Sequence, residues 1–177
     1  VYGGLMAALF EETGRYIAMR FLVKPMDFPN AFMYGAGHGG VEAMLLCGVA
    51  SINNIASAVM INSGTMSAQL ATLDAEKAAD TAAALSALWT TPSLTFFAGG
   101  VERIIAVVLH LSLSILVFQS IRKKSRKDLL NAYLFHFVID SLAVLLSAVA
   151  SVWVVELVVA LVTGGAVLMA KYACMEE

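Results

Sequence analysis

The three histidines of this chain, and several of its carboxylates, fall inside long apolar runs: Glu11 and Glu12, His38 and Glu42, Glu102, His110, and His136 with Asp140. A carboxylate and an imidazole held together away from bulk water can bind a water molecule and take a proton from it. A second polar pair can then steady an oxyanion. His136 and Asp140 suit that role, with Asp140 fixing the orientation and tautomer of the ring. The same inventory could hold zinc, which favours His and Glu in an open catalytic site, with His38, His110 and His136 as candidate ligands. Residue types alone leave metal-free and metal-dependent hydrolysis both open.

Spacing groups these residues further. Glu11 and Arg15, His38 and Glu42, and His136 and Asp140 are i, i+4 pairs, so each pair shares a helix face. Plainer readings exist for each. Glu11 or Glu12 with Arg15 also reads as a structural ion pair, and His110 as an interhelical hydrogen-bonding group. Gly35 with Gly39, and Ala36 with Gly40, form small-xxx-small ridges that let neighbouring helix backbones approach closely.

The elements that position these groups must be membrane helices. Hydrophobic residues make up 60% of the 177 and charged residues only 14%, far from the roughly one-quarter charged make-up of soluble domains. The expected fold is all-α: a polytopic transmembrane bundle over 1–177 with about five spans and one external amphipathic helix. The spans cover about Val1–Val23, Ala31–Asn62, Pro92–Ile121, Leu129–Ser151 and Val152–Tyr172. Pro25 ends the first, and Asn30 is the expected N-cap of the second. Asp74, Glu76, Lys77 and Asp80 lie among alanines, so 63–91 reads as an amphipathic insertion outside the hydrocarbon core. The absence of an initiating Met and a basic leader leads to the expectation that the chain begins inside a longer protein. Cys47 and Cys174 lack metal-knuckle or disulfide spacing and read as structural.

The basic run Arg122 to Lys127 belongs on the cytoplasmic side, which places 63–91 outside. From the cytoplasmic helix ends, Glu12, Glu42, His110 and Asp140 then lie about 18 Å deep and His38 and His136 about 12 Å, at about 1.5 Å per residue. One slab therefore holds polar groups from four helices. Each ionised group at the bilayer centre costs on the order of 3 kcal/mol, so the groups are expected to face one another around a site open to the cytoplasmic side. Glu102 is about 30 Å from the basic run on the same ruler and is expected, with Glu156, to lie outside that site.

The joint pattern of Glu11-Glu12-Thr13-Gly14-Arg15, Gly37-His38-Gly39-Gly40-Val41-Glu42, Glu102-Arg103 with His110, and His136-xxx-Asp140 resembles the YhfC-type family of intramembrane peptidases. It is also similar to the CAAX-prenyl endopeptidase (ABI) and PrsW families. The resemblance implies a glutamate-dependent, multi-span endopeptidase in which Glu11 or Glu12 with His38 activates water. His136 and Asp140 would support the oxyanion, and Arg15, Glu42, Glu102, Arg103 and His110 would play supporting roles. The residue inventory leaves zinc as a possible cofactor, and the expected substrate is a membrane protein or peptide. The lipid bilayer would be a partner and nucleic acid would not, and the setting would be a prokaryotic cytoplasmic membrane. The rival reading is a proton- or ion-coupled transporter using the same buried cluster as an ion path.

Overall fold

The computed structural model describes residues 1–175, and no strand occurs among them. The helices are α1 (Tyr2–Ile17), α2 (Phe28–Ala43), α3 (Val49–Asn62), α4 (Thr65–Leu70), α5 (Ala75–Thr90), α6 (Ser93–Lys123), α7 (Arg126–Ser147) and α8 (Val152–Met175). π-helical turns, Ala18–Leu22 and Met44–Gly48, extend α1 and α2. Four stretches are long and apolar enough to cross a bilayer: Phe28–Asn62, Ser93–Lys123, Arg126–Ser147 and Val152–Met175. The fifth expected span, α1 with its π-helical turn, is long enough but carries Glu11, Glu12, Arg15 and Arg20. The protein is thus an integral, multi-pass membrane protein built from helices.

Local sequence explains the helix ends. Asp27 opens α2, its Oδ1 accepting the Asn30 N–H at 3.0 Å, so the cap lies three residues before the expected Asn30. Pro29 fits because the first turn of a helix has no use for its missing donor. Ser125 caps α7 in the same way through the Asp128 N–H. Asp74 caps α5, accepting the Lys77 N–H at 2.9 Å, and the same lysine pairs with it at 2.8 Å. Those two hydrogen bonds hold the exposed Asp74 carboxyl below its ordinary range.

The chain divides into two compact units, 1–43 with 101–177 and 44–100. In the second, α3, α4 and α5 pack together, and Thr81, Leu85 and Leu88 of α5 line a cleft with Asn54 of α3. The first unit carries the chemistry-bearing residues. Here α1 packs on α7 and α7 on α8, while α2 lies against α6 through two glycines. A methyl group at Gly35 would sit 2.9 Å from the His110 carbonyl oxygen and from the Leu111 Cα, and one at Gly39 would sit 3.0 Å from the Val107 Cα. Gly40, by contrast, has open space around it. Of the two expected ridges, only Gly35–Gly39 is an interface.

Polarity runs opposite to a water-soluble fold. Glu12, Arg15 and Ser114 are fully buried, while Phe10 and Leu22 are each 75% exposed. Such an exterior is stable only in hydrocarbon, where helices associate through close backbone approach and internal hydrogen bonds rather than by hiding apolar surface.

Because the His110 carbonyl and the Leu111 Cα facing Gly35 are backbone and cannot swing away, Gly35→Ala should cost about 1–3 kcal/mol through overpacking. Gly40→Ala should leave stability unchanged. Thermal melts of the two variants in the same detergent check the contrast.

Candidate active site

Neighbouring residues on a helix point about 100° apart, so Glu11 and Glu12 have different nearest partners. Glu12 turns into the bundle, where its Oε2 lies 3.1 Å from Arg15 Nε and both side chains are sealed from solvent. Arg15 therefore pairs with Glu12, one turn away, and not with Glu11 as the i, i+4 spacing predicts. Its remaining donors reach α6: Nη1 donates to the His110 carbonyl at 2.8 Å and to Ser114 Oγ at 2.7 Å, and Nη2 meets His110 Nδ1 at 2.8 Å.

That last contact assigns a tautomer. A guanidinium has five N–H donors and no acceptor, so His110 Nδ1 must accept and the ring proton must sit on Nε2. From there it is donated to Glu42 Oε2, 2.5 Å away. Glu42 Oε1 in turn accepts from Arg103 Nη1 at 2.9 Å, and Arg103 Nη2 pairs with Glu102. Seven residues separate Arg103 from His110, two turns on one face of α6, so Glu42 bridges them from α2.

His136 has the opposite arrangement. Its Nδ1 lies 2.7 Å from Glu12 Oε1, and since a carboxylate only accepts, Nδ1 carries the proton. Nε2 faces two further acceptors, Asp140 Oδ2 at 3.5 Å and Glu11 Oε2 at 3.8 Å, so carboxylates lie on both sides of the ring, Glu12 at Nδ1 and Asp140 at Nε2. Glu11, with about a third of its side chain exposed, meets His38 Nε2 at 3.0 Å. The rings are stacked in sequence: His38 on His110 with centroids 4.7 Å apart, then His110 edge-on to His136 at 5.7 Å.

These groups surround a cavity of about 90 Å³ lined by Glu11, Glu42, Glu102, Arg103, His110, His136, Asp140 and Thr163, among others. At about 30 Å³ per water it has room for a few solvent molecules. Glu102, expected to lie apart, is on the wall. The depth ruler measures along a helix axis and omits side-chain reach, and the Arg103 and Glu42 side chains cover the gap. Glu156 lines a second, adjoining cavity. Two further groups were not singled out from sequence. Ser114 lies one turn beyond His110 and could have been found from that spacing, whereas Thr163 sits in an apolar run that offers no signal.

The donor chemistry fits a zinc-type ion. Glu11, His38, Glu42 and His110 bring ligand-type atoms that all lie within 4.8 Å of one another, and mixed imidazole and carboxylate sets are those of open catalytic zinc sites. Of the four, His110 as held by Arg15 presents an N–H rather than a lone pair.

Comparison with known proteins gives the family. A Bacillus subtilis (strain 168) protein, "Uncharacterized membrane protein YhfC", is 38% identical over 165 residues, which cover 92% of this chain. The chain spans 63% of that relative's length. No solved structure matches. Residues 1–159 match the family model of the YhfC intramembrane metalloprotease, and the chain belongs to that family.

Proposed function

We propose that this chain carries the hydrolytic centre of an intramembrane peptidase that cleaves membrane proteins or peptides, in a prokaryotic cytoplasmic membrane. The observation that carries the reading is the division of labour between adjacent glutamates: Glu11 faces His38 at the cavity, and Glu12 is sealed between Arg15 and His136.

Glu11, His38 and Glu42 would hold the metal ion. When bound, the ion would supply polarisation of a water and of the peptide carbonyl. The chain's own groups do the rest. His136 is the proton carrier, because Glu12 on Nδ1 and Asp140 beside Nε2 hold it as a protonated ring at the cavity, the arrangement of a general acid. Asp140 takes a proton from the attacking water, the water oxygen bonds to the carbonyl carbon, and the C–N bond breaks as Nε2 gives its proton to the leaving nitrogen. Asp140, beside Nε2, favours the ring while it is charged. Arg103 and the His110 N–H keep Glu42 in place from both sides.

The direction of approach also follows. The adjoining cavity lies where α7 ends and α8 begins, away from the basic run between α6 and α7. With that run in the cytoplasm, the cavity favours approach from the opposite leaflet rather than the cytoplasmic opening expected from sequence.

Cleavage of a pooled membrane-protein library by the purified protein in lipid tests the assignment. His38→Ala, Glu11→Gln and His136→Ala should each lose about 10²–10⁴-fold in rate. Wild-type rates in Glu11→Gln and His38→Ala would reject the hydrolytic centre. In detergent melts, Glu11→Gln should keep wild-type stability. Glu12→Ala should lose about 3–5 kcal/mol, because Arg15 is left as an uncompensated buried charge.

Elemental analysis of the purified variants reads the ligand set separately from turnover. Bound metal should vanish in His38→Ala and Glu42→Gln and persist in His110→Gln, which keeps an N–H donor. A metal-free His110→Gln protein would show that His110 contributes a lone pair after all.

A further inference from the structure

One carboxylate has no part in that chemistry and no partner. Glu156 on α8 is 7% exposed, yet its Oε2 meets no hydrogen-bond donor among the described residues. A carboxyl group buried in this way is destabilising until a donor or a cation reaches it. It lines a cavity of about 370 Å³ whose other walls are largely apolar, among them Val144, Ala150 and Val155. That cavity shares Glu102, Ala143 and Val159 with the catalytic cavity.

The face of α8 connects the two spaces. Glu156, Val159 and Thr163 recur at i, i+3 and i+7, which aligns them along one side of the helix. Thr163, in the wall of the catalytic cavity, also has an unpartnered hydroxyl oxygen although it is almost wholly buried. The two unmet polar groups on this face thus mark the outer and inner ends of one path. Glu102 cannot serve as the receptor at the outer end, because it is already paired with Arg103.

From this arrangement we infer that the Glu156 cavity is a specificity subsite that receives a basic side chain, an ammonium or guanidinium on an apolar stem, from a polypeptide lying across the catalytic cavity. The apolar walls take the methylene stem of a Lys or Arg, as such side chains commonly bury their stems against apolar surface. Glu156 takes the charged end. The inference rests on the peptidase reading for the identity of its occupant, but its test does not require turnover.

The experiment is equilibrium binding to the protein in nanodiscs, in a Glu11→Gln background so that nothing is hydrolysed. The probes are two fluorescent apolar peptides that differ only in one central residue, Lys or norleucine. The Lys peptide should bind about tenfold more tightly, the scale of one hydrogen bond to a charged group, and adding Glu156→Gln should erase the difference. Val144 is exposed, so Val144→Trp should leave the fold intact and weaken both peptides by narrowing the cavity. Equal affinity for the two peptides, a Lys preference that survives Glu156→Gln, or affinities for both peptides unchanged by Val144→Trp, overturns the subsite. Failure of the peptidase reading would appear elsewhere, as wild-type cleavage rates in the Glu11→Gln and His38→Ala proteins.

Discussion

A guanidinium with no exposed surface, inside a bundle whose outside is hydrocarbon, constrains everything around it. Stripping Arg15 of water costs several kcal/mol unless a counter-charge and acceptors replace the lost hydration. Glu12 supplies the charge, and the His110 carbonyl, the His110 ring and Ser114 supply the acceptors. All the acceptors beyond Glu12 belong to α6, so Arg15 ties α1 to α6 and sets their register. It also determines which nitrogen of His110 bears the proton, and through that ring the orientation of Glu42 on α2.

The same constraint explains why two consecutive glutamates have different surroundings. Compensating Arg15 commits Glu12 to the interior, where its second oxygen reaches His136 on α7. The rotation of the helix then leaves Glu11 turned toward His38 and the cavity. The two histidines have different surroundings as a result: His110 offers an N–H because a donor-only arginine stands behind it, and His136 is held charged between acceptor-only carboxylates. Neither ring chooses its own proton placement, which is the preorganisation that proton transfer in a dry site requires. The glycines at 35 and 39 complete the arrangement, since α2 can bring His38 and Glu42 to these rings only if its backbone nearly touches α6.

Where polar groups are matched this thoroughly, unmatched ones are informative. The partly buried Glu11, Glu42, Glu102, Arg103 and Asp140 face one another around the small cavity, and the sealed Glu12 and Arg15 pair with each other, as lipid solvation demands. Glu156 and Thr163 break that rule on a single face of α8, beside the two cavities. A helix surrounded by hydrocarbon gains nothing from a buried unpaired carboxyl group, and a cation that enters the cavity would compensate it.

The all-helical, membrane-spanning character was legible in composition, because long apolar runs have no other stable setting. The common depth expected for Glu12, His38, Glu42, His110, His136 and Asp140 could be read too, since helical rise converts residue number into distance along an axis. Sequence could not say which groups on that level would touch. The i, i+4 rule pairs Glu11 with Arg15, whereas the structure pairs Glu12 with it, because the rotation of α1 about its own axis is set by what α6 and α7 present. Glu102 looked remote for a related reason: the ruler omits the lateral reach of long side chains, and Arg103 and Glu42 close that gap from two helices. Residue order determined the solvent, the elements and the inventory of reactive groups. Tertiary packing decided the partners, the tautomers and the two cavities, because these depend on helix rotation and on close approach between segments far apart in the chain.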